Sequence, residues 1–583
     1  MQYFKSLFRW ASLIAFLFVF TANASAQERR EEVLKYEDGK TSRVAHYIND
    51  TVLDGHWVSY YMTGKKFEEG NFDNGRKTGE WIKFSEKGDT LSQINYENGI
   101  YRLWYRNGQL IVVGQVKDRD KDGLWKEYYA DGTLKSEGNY SKGVKTGLWK
   151  YYYADGKQKR LIDMENGESK TWYSNGKMKD KVGIVNRNFD GLWISFYQNG
   201  DTLSIGEYKD GEQIGIWKEF YMGGQLRKED PKQNGVYNEY YKNGVLAISG
   251  NIKETKKDGL WQYWYANKQL QEKINYVMGS REGATQKFYR GGQQQFEGVF
   301  ANDSLNGAAK WWYADGKTEM EGFLKDDLQD SLWIFYYKNG QKGSTGSFVA
   351  GEQNGEWTFW YETGEKWKVG SFDQGKKSGH WTTWFENGNK LQEGNYVNGL
   401  IDGDWTSWYD KGQLYKKGSF KQGKMDGKWE IWYKDGERQL EAVYSNDRMN
   451  GPVTQYFRNG KPEFKGTYKD GFKNGSFTEW NKMGVIQAKG KYKNDLKEGS
   501  WVFYDERGRL YKKQSFVDGK PTGKWVEYYI NGKKKGEGQF KGIKRDGIWT
   551  YWGTDGKVVY KVRYDNGRKV EELVNARAGN VPK

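Results

Sequence analysis

The feature that most constrains the fold of this chain is a three-residue phrase, Gly-x-Trp, that returns at a fixed spacing. In GHWTTWFENGNKLQEGNYVNGLIDGDW, the stretch from Gly379 to Trp405, the two tryptophans of the phrase are 24 positions apart. If the tryptophan position is called the Trp slot, the chain contains 22 slots, joined by 18 intervals of 24 positions and three of 20. The slots hold Trp57, Trp81, Tyr101, Trp125, Trp149, Ser169, Trp193, Trp217, Tyr237, Trp261, Thr285, Ala309, Trp333, Trp357, Trp381, Trp405, Trp429, Val453, Phe477, Trp501, Trp525 and Trp549. A period held from Trp57 to Trp549 indicates one repeat array rather than a string of separate domains.

Each unit reads as two short antiparallel strands. The first strand runs from the Trp slot to a pair of aromatics, as in Trp429–Tyr433, and an Asn-Gly or Asp-Gly pair follows, as at Asn387-Gly388. Such a pair favours a two-residue hairpin turn in which both central residues have positive φ. The second strand follows, as in Leu391–Tyr396, and a second turn at Asn398-Gly399 leads to the next unit. The pattern predicts an all-β fold, an array of about 22 antiparallel β-hairpins.

The three short intervals preserve the faces of this sheet. They run from Trp81, Trp149 and Trp217 to the next slot, and each lacks four residues between the second turn and the next Gly-x-Trp. Because 20 and 24 are both even, the loss leaves every side chain on its original face. The short intervals fall in every third place, which indicates that a block of two long intervals and one short interval was duplicated in the first half.

Composition supports an extended sheet with a thin core. The chain is 36% hydrophobic but 17% aromatic, so aromatic rings must supply most of the buried area. Five prolines in 583 residues fit a backbone whose donors are used in strand ladders, and disordered segments are poor in aromatics. With strands about 4.8 Å apart, we expect an elongated, rod-like or gently coiled single sheet roughly 200 Å long.

The aromatic residues predict columns on both faces of the sheet. In a two-residue hairpin the Trp slot lies opposite the glycine thirteen residues later, so Trp381 would face Gly394 and cover its backbone. The aromatic three residues after the slot lies on the other face, so Trp384 would face Leu391. The slot tryptophans are therefore predicted to be the repeat core. An open aromatic column could alternatively hold sugar rings or an apolar partner.

The amino-terminal segment has a different character. Lys5 and Arg9 precede an apolar run, and Ala24-Ser25-Ala26 resembles a cleavage site, which predicts a secretory signal peptide at 1–26. The remaining boundaries are a degenerate capping repeat at 27–52, the array at 53–570 and a basic flexible tail at 571–583. No second apolar segment follows, so we expect a mature chain without a transmembrane segment, exported to the periplasm, the outer membrane or the extracellular space.

Positive charge concentrates at the carboxyl end. The formal charge is +16, and residues 501–583 hold 19 Lys and Arg against 10 Asp and Glu. Such an end could contact an anionic envelope component or serve solubility alone. The predicted basic contact surface is Lys533, Lys534, Lys535, Lys541, Lys544, Arg545, Arg568 and Lys569. Nucleic acid is not expected as a partner of an exported protein without a recognisable binding module.

Catalysis is not expected. The chain has no Cys, and its three histidines are His46, His56 and His380. The last two occupy the variable position between Gly and Trp, which also accepts Glu, Leu, Ile, Lys or Asp. The histidines are too far apart in a linear array for a zinc site, and the acidic residues occur singly rather than as an acid–base pair. We therefore expect no enzyme activity, no cofactor, no metal and no small-molecule ligand.

The units resemble the MORN repeat. Gly123–Thr146, GLWKEYYADGTLKSEGNYSKGVKT, is similar to the variant form in bacterial proteins that are often described as YwqK-type antitoxins. The resemblance covers roughly residues 53–570. It implies a hairpin array with binding or scaffolding roles, with membrane or protein partners and without catalysis of its own. The export signal and the large number of units depart from the antitoxin pattern.

Three functions remain open from the sequence. The first is an exported, non-catalytic protein that binds or scaffolds macromolecular partners in the bacterial cell envelope. The second is an antitoxin or immunity-type protein that sequesters a toxin, and the third is a carbohydrate-binding surface protein that uses the aromatic columns.

Overall fold

Every regular element between residues 29 and 576 is a β-strand. The computed structural model of the protein describes these residues, and the predicted signal peptide lies outside them. The chain divides into two compact units, residues 1–256 and 257–583, which we call the first unit and the second unit. Otherwise, a unit means one repeat of 24 or 20 residues. The division follows the sequence, because all three short intervals fall in the first unit and the second has the uniform long period.

The strands that begin in the first unit are β1 Arg29–Lys35, β2 Thr41–Ile48, β3 Val52–Tyr60, β4 Lys66–Asp73, β5 Arg76–Phe84, β6 Thr90–Asn95, β7 Gly99–Trp104, β8 Leu110–Lys117, β9 Asp120–Tyr128, β10 Leu134–Ser141, β11 Val144–Tyr152, β12 Gln158–Asp163, β13 Gly167–Trp172, β14 Met178–Val185, β15 Asn188–Phe189, β16 Gly191–Phe196, β17 Thr202–Lys209, β18 Glu212–Phe220, β19 Leu226–Pro231, β20 Gly235–Tyr240, β21 Leu246–Lys253 and β22 Lys256–Trp264.

Those of the second unit are β23 Leu270–Val277, β24 Ser280–Phe288, β25 Gln294–Ala301, β26 Ser304–Leu305, β27 Gly307–Trp312, β28 Thr318–Lys325, β29 Leu328–Tyr336, β30 Lys342–Val349, β31 Glu352–Trp360, β32 Lys366–Asp373, β33 Lys376–Trp384, β34 Lys390–Val397, β35 Leu400–Trp408, β36 Leu414–Lys421, β37 Lys424–Trp432, β38 Arg438–Ser445, β39 Arg448–Tyr456, β40 Pro462–Lys469, β41 Phe472–Trp480, β42 Ile486–Lys493, β43 Leu496–Tyr504, β44 Leu510–Val517, β45 Lys520–Tyr528, β46 Lys534–Lys541, β47 Lys544–Trp552, β48 Val558–Asp565 and β49 Arg568–Asn575.

Within each unit the strands pair antiparallel in chain order. In the second unit, for example, β33 pairs with β32 on one side and with β34 on the other. The two-residue strands β15 and β26 are the detached beginnings of β16 and β27. The prediction of an all-β array of antiparallel hairpins is confirmed.

The first turn of each unit differs from the predicted two-residue type. Phe385 N donates to Asn389 O over 2.8 Å, and Gly388 N donates to Phe385 O over 3.0 Å. Gly388 has a φ of +83°, but Asn387 does not have positive φ. This is a three-residue loop, a type I turn closed by a left-handed glycine. The prediction was wrong because the side chain before the glycine bonds its own turn: Asn389 N donates to Asn387 Oδ1 over 3.0 Å, and Thr133 N donates to Asp131 Oδ1 over 2.9 Å in another unit. Asn387 Nδ2 also donates to Asp410 O, in the turn of the following unit, over 2.8 Å.

The second turn is the two-residue type. Asn398 has a φ of +50° and Gly399 a φ of +82°, and Val397 pairs directly with Leu400. Both central residues are left-handed, as a type I′ turn requires. The Asn-Gly signal therefore marks two different turns in one unit.

The predicted register holds at the Trp slot and fails near the first turn. Trp381 pairs with Gly394, as expected. Trp384 pairs with Lys390 rather than with the predicted Leu391, since the register shifts between Thr383 and Trp384. The three-residue loop explains the error, because Leu391 becomes the extra residue of a β-bulge.

The short intervals keep the register, as predicted. Ile94 pairs with the slot residue Tyr101, just as Gly394 pairs with Trp405 across a full interval. The duplicated block also recurs in side-chain contacts. The ion pair between Arg119 and Glu97 spans 3.3 Å, and Arg187 and Glu165, at the equivalent positions of the next block, repeat it at 3.4 Å.

At each end of the described chain, the terminal strand pairs with one neighbouring strand. At the start, β1 and β2 form a hairpin whose loop has the hydrogen bonds of the first turn type, Tyr36 N to Lys40 O and Gly39 N to Tyr36 O. At the end, β49 pairs with β48 and extends to Asn575. Residues 571–575, which the sequence assigned to a flexible tail, are therefore strand. Residues 577–583 lie outside the described part of the chain.

Candidate functional site: two faces of the repeat sheet

Successive side chains of a strand alternate between two faces, and the Trp slot distinguishes them. In β33 the slot residue Trp381 is buried, while His380 before it is exposed. We call the face that carries the Trp slot the core face. The outer face carries the residue before each slot and the aromatic three residues after it.

On the core face, most slot tryptophans cover a glycine of the preceding strand. A Cβ at Gly370, eleven residues before Trp381, would stand 2.1 Å from the Trp381 ring. The indole Nε1 donates to Ser371 O over 3.0 Å, and the Phe372 ring meets the indole edge-on at 5.0 Å. The ring was predicted to cover Gly394; that glycine is instead covered by Trp405. The indole therefore leans back over the strand before its own.

Burial of the slot tryptophan follows the size of the residue eleven positions earlier. The slot tryptophans that are at most 6% exposed are Trp81, Trp125, Trp149, Trp217, Trp261, Trp333, Trp357, Trp381, Trp405, Trp429, Trp501 and Trp549. In all of these units the earlier residue is glycine. The remaining slot tryptophans are half-buried, and the earlier residue is bulkier: Trp57 follows His46, Trp193 follows Val182 and Trp525 follows Gln514. One glycine thus decides whether the indole can lie flat.

A basic side chain covers many of these rings on the core face. Lys377 Nζ lies 4.5 Å from the Trp381 ring centre and 4.6 Å from that of Tyr396, within cation–π range. Burial lowers the pKa of the Lys377 ammonium below its usual range. The same contact recurs at Lys77, Lys121, Lys145, Lys257, Lys497 and Arg545. The core face is therefore largely occupied by its own packing.

Successive first turns are joined by tyrosine hydroxyls. Tyr361 Oη donates to the backbone oxygen of Trp384, in the following unit, over 2.8 Å. The same bond recurs along both units, for example from Tyr129 to Tyr152 and from Tyr433 to Tyr456. These bonds satisfy a strand-end carbonyl in the next unit and fix one row of turns.

The outer face of the first unit carries a row of exposed aliphatic side chains. Between Ile100 and Val236, the position before the Trp slot is aliphatic in every repeat unit except one, where Glu168 lies between Leu148 and Leu192. The aliphatic members, which we call the aliphatic stripe, are Ile100, Leu124, Leu148, Leu192, Ile216 and Val236. Leu124 is 50% exposed, Ile216 51% and Val236 54%. From Glu356 to Lys524 in the second unit, the same position holds polar residues or proline. Sequence reasoning missed the stripe because it treated the position as uniformly variable; sorting its residues by place along the chain would have revealed it.

The outer face also carries the second aromatic column, three residues after each slot. In the second unit this column contains a tryptophan in each of four successive repeats, and all four are half-buried: Trp360, Trp384, Trp408 and Trp432. Strand spacing places alternate strands about 9.6 Å apart, so neighbouring rings of this column do not stack on one another. Thr358, Thr382 and Thr406 lie two residues before the first three rings, on the same face.

The structure pairs most of the predicted basic contact surface with its own chain. Lys534 bonds Glu537 at 2.5 Å, Lys535 bonds Glu527 at 3.2 Å and Lys569 pairs with Glu572. Lys533 Nζ donates to Asp555 O, and Arg545 covers the Trp549 ring. Lys541, Lys544 and Arg568 have no ion-pair partner among residues 29–576. Five of the eight residues therefore contact other parts of the chain, and three have no ion pair among the described residues.

The described residues contain no metal-binding cluster. Residues 29–576 hold no cluster of three or more His, Asp or Glu that could bind a metal ion. His46 contacts Glu31 at 3.3 Å, and His380 lies 3.8 Å from Glu393, so each has a separate carboxylate neighbour. No helix long and apolar enough to cross a membrane occurs between residues 29 and 576.

Comparison with known proteins gives weak structural likenesses. No curated protein matches the chain. The crystal structure of TcdB2-TccC3 is 12% identical, with 94% of this chain and 34% of that chain covered and a TM-score of 0.12. The TcdB2-TccC3-Cdc42 structure is 11% identical, with 92% of this chain and 32% of that chain covered and a TM-score of 0.12. The Photorhabdus luminescens Tc holotoxin pore is 12% identical, with 94% of this chain and 32% of that chain covered and a TM-score of 0.12. The chain thus spans about a third of each, and likenesses at this level carry no inference about function.

The repeat units themselves match a known family. The MORN repeat variant matches residues 97–118, 121–142, 165–184, 189–210, 257–278, 305–326, 377–398, 401–422, 449–470 and 545–566. Each match contains a first strand, the three-residue loop and a second strand, so the matched segments coincide with the hairpins of the structure. The chain is a MORN-repeat protein.

Proposed function

We propose that this MORN-repeat protein is exported and acts without catalysis, binding or scaffolding protein partners of the bacterial cell envelope along its outer face. The observation that carries the proposal is the aliphatic stripe. Six aliphatic side chains share one face at repeat spacing and remain exposed, although the core face buries its aromatics thoroughly. Polar residues of the second strands lie between the members of the stripe, as Asn139 does beside Leu124, so the stripe is a row of separate apolar side chains. Exposed apolar side chains that recur on one face mark a candidate interaction surface.

A matched pair of variants tests the role of the stripe. Leu124→Asp with Leu148→Asp places charges on the outer face of the first unit, and Ser476→Asp with Ser500→Asp changes the same position in the second unit. Crosslinking of the full chain in envelope fractions, followed by mass spectrometry, should show loss of the partner in the first variant and retention in the second. Equal partner recovery from both variants would remove the stripe from the proposal.

Export rests on the amino-terminal segment and has its own test. We expect the protein to lack residues 1–26 when it is recovered from cells, and to fractionate with the envelope or the medium. Amino-terminal sequencing and fractionation measure both properties. Recovery of the unprocessed chain in the cytosol would overturn export and favour the antitoxin alternative, since a conventional antitoxin acts there.

The basic end supports a second contact, with an anionic envelope component. Lys541, Lys544 and Arg568 are free of ion pairs among the described residues, so their charge is available. Exposed charges are screened by salt, so envelope association through this end should weaken as ionic strength rises. Reversal of these three charges should reduce association at low salt, while reversal of Lys242, Lys253 and Lys256 in the first unit should not. Association that ignores both salt and reversal would remove the basic end as an anchor.

Carbohydrate binding is the second candidate function, and the outer-face tryptophans favour it. Trp360, Trp384, Trp408 and Trp432 are half-buried and are accompanied by threonine hydroxyls, a combination that can stack on and hydrogen-bond to sugar rings. A glycan array with the full chain addresses it. Binding that disappears in Trp384→Ala with Trp408→Ala but survives Trp264→Ala with Trp312→Ala, from the same column, would support the assignment.

A further inference from the structure

The last strand of the array differs from the interior first strands of the hairpins. Each interior first strand from β3 to β47 has a positive-φ residue two positions before its Trp slot, such as Gly547 at +67°. In β49 the corresponding position is Glu571, which does not have positive φ. β49 therefore lacks the left-handed kink of the interior strands. Its register with β48 shifts twice instead, with Val570 and Leu573 as the extra residues of two bulges. It pairs with β48 on one side, and among residues 29–576 no strand pairs with its other side.

The charges of β49 follow an order that is complementary to itself. Two basic residues, Arg568 and Lys569, precede Val570, and two acidic residues, Glu571 and Glu572, follow it. In an antiparallel pair the order of one strand is reversed relative to the other. Two copies centred on Val570 would therefore place each basic residue opposite an acidic one, an arrangement that stabilises strand pairs.

We propose that β49 is a self-association edge, through which two copies of this chain pair antiparallel with Val570 at the twofold axis. Arg568 then lies opposite Glu572 of the second copy, and Lys569 opposite Glu571. The pairing extends the hydrogen-bonded ladder by one strand from each copy. Such an isologous contact closes at two copies.

The charge state of the free edge fits this occupant. Arg568 has no ion-pair partner among the described residues. Lys569 contacts Glu572 of its own strand, and Glu571 contacts Arg563 of β48 at 3.5 Å, so these two pairs exchange when the second copy binds. At the other end, β1 has the same charge order, Arg29-Arg30-Glu31-Glu32. In β1, Arg29 contacts Asp54 and Arg30 contacts Asp50. Glu32 contacts Arg43 of β2. All four charges of β1 have a partner in the chain, whereas Arg568 of β49 has no ion pair among the described residues, which favours β49 as the edge.

The edge alone buries a small area, so the association should be reversible and dependent on protein concentration. Charged edge strands also commonly prevent pairing. The two possibilities differ in one respect: charges that only protect the edge need no complementary order, whereas charges that pair depend on it.

A cysteine at the proposed axis gives a direct test, since the chain has no Cys of its own. In Val570→Cys, opposed residues of two antiparallel strands come within disulfide range. Mild oxidation should convert this variant to a covalent dimer. Met483→Cys, which replaces a side chain that is 72% exposed at a hairpin turn, controls for random collision. Asn575→Cys controls for position along the same strand. Dimer yields equal to those of the controls would overturn the proposal.

Complementary charge variants test the mechanism without relying on one substitution. Arg568→Glu with Lys569→Glu gives an all-acidic edge, and Glu571→Lys with Glu572→Lys an all-basic one. By sedimentation, each variant alone should dimerise at least about tenfold more weakly than the wild type, and an equimolar mixture should form the mixed dimer at wild-type strength. A wild type that stays monomeric, variants that dimerise as it does, or a mixture that fails to recover association would each contradict the edge.

Discussion

At the scale of single residues, the central feature is the coupling between a tryptophan and the glycine eleven positions before it. The indole can lie flat only where the backbone below has no side chain, as the 2.1 Å approach to a Cβ at Gly370 shows. The chain also contains natural alternatives to the pair. Thr285 follows Ile274 and Val453 follows Ala442, so a smaller slot residue accompanies a larger earlier residue. The two positions thus share one volume.

This coupling predicts a rescue by a second substitution. Gly370→Ile alone should lower the free energy of unfolding by about 1–3 kcal/mol, because the side chain overlaps the Trp381 ring. Adding Trp381→Thr reproduces the natural pair at Ile274 and Thr285 and should be less damaging than the sum of the two single changes. Denaturant unfolding of the four proteins forms a double-mutant cycle. Additive losses would show that the positions do not share a volume.

Half-buried tyrosines on the core face predict a loss of stability at alkaline pH. Burial and the neighbouring Glu479 raise the pKa of Tyr492 from 10.0 to about 12, so the folded state favours the protonated phenol. The contribution is therefore complete below pH 10 and is lost as the pH rises through about 12. Tyr492→Phe should flatten the decline in unfolding free energy over this window, and the exposed Tyr415→Phe should not. An equal slope in all three proteins would contradict the assignment.

At the scale of elements, the contacts between successive first turns explain why the hairpins form a continuous row. The Tyr361 hydroxyl reaches the end of the next unit's first strand at Trp384 O. The unit after it has phenylalanine at the equivalent position, Phe385, which cannot donate this bond. The chain therefore offers a matched pair of sites, one with the hydroxyl and one without.

The pair predicts effects of opposite sign. Tyr361→Phe should lower the free energy of unfolding by about 1 kcal/mol, because a buried carbonyl loses its donor. Phe385→Tyr should raise it, since the new hydroxyl can reach Trp408 O in the same way. Equilibrium urea unfolding measures both. A destabilising Phe385→Tyr would show that the hydroxyl does not fit this row.

The elements also show what sequence reasoning could reach. Strand existence, the even intervals and the facing of Trp381 and Gly394 follow from a strand period of two and an even repeat length, which are local properties. The type of the first turn and the position of Leu391 in a bulge depend on the whole three-residue loop, including the bond from Asn389 N to Asn387 Oδ1, which an Asn-Gly dipeptide alone does not specify. The lean of Trp381 toward Gly370 is likewise a packing choice between two glycines. The aliphatic stripe was present in the sequence but required a comparison of one position across all units.

At the scale of the whole molecule, the array should behave as a sum of units and neighbour contacts. From Trp333 to Trp429, every repeat unit has tryptophan in the slot and glycine eleven positions earlier, so a complete unit can be removed there without leaving an unmatched partner. The sequence prediction of a rod-like shape remains a prediction.

The most direct measurement of this account compares two deletions by cooperative urea unfolding and by burial of Trp429. Removing Gly403–Asp426, one whole repeat unit, places Trp429 eleven residues after Gly394, where Trp405 stood. Removing one residue fewer, Gly403–Met425, places it twelve residues after Gly394 and shifts its strand by one. We predict that the first protein unfolds cooperatively with Trp429 buried, and that the second is less stable with Trp429 exposed. Equal stability and equal tryptophan burial in the two proteins would contradict a register-locked array.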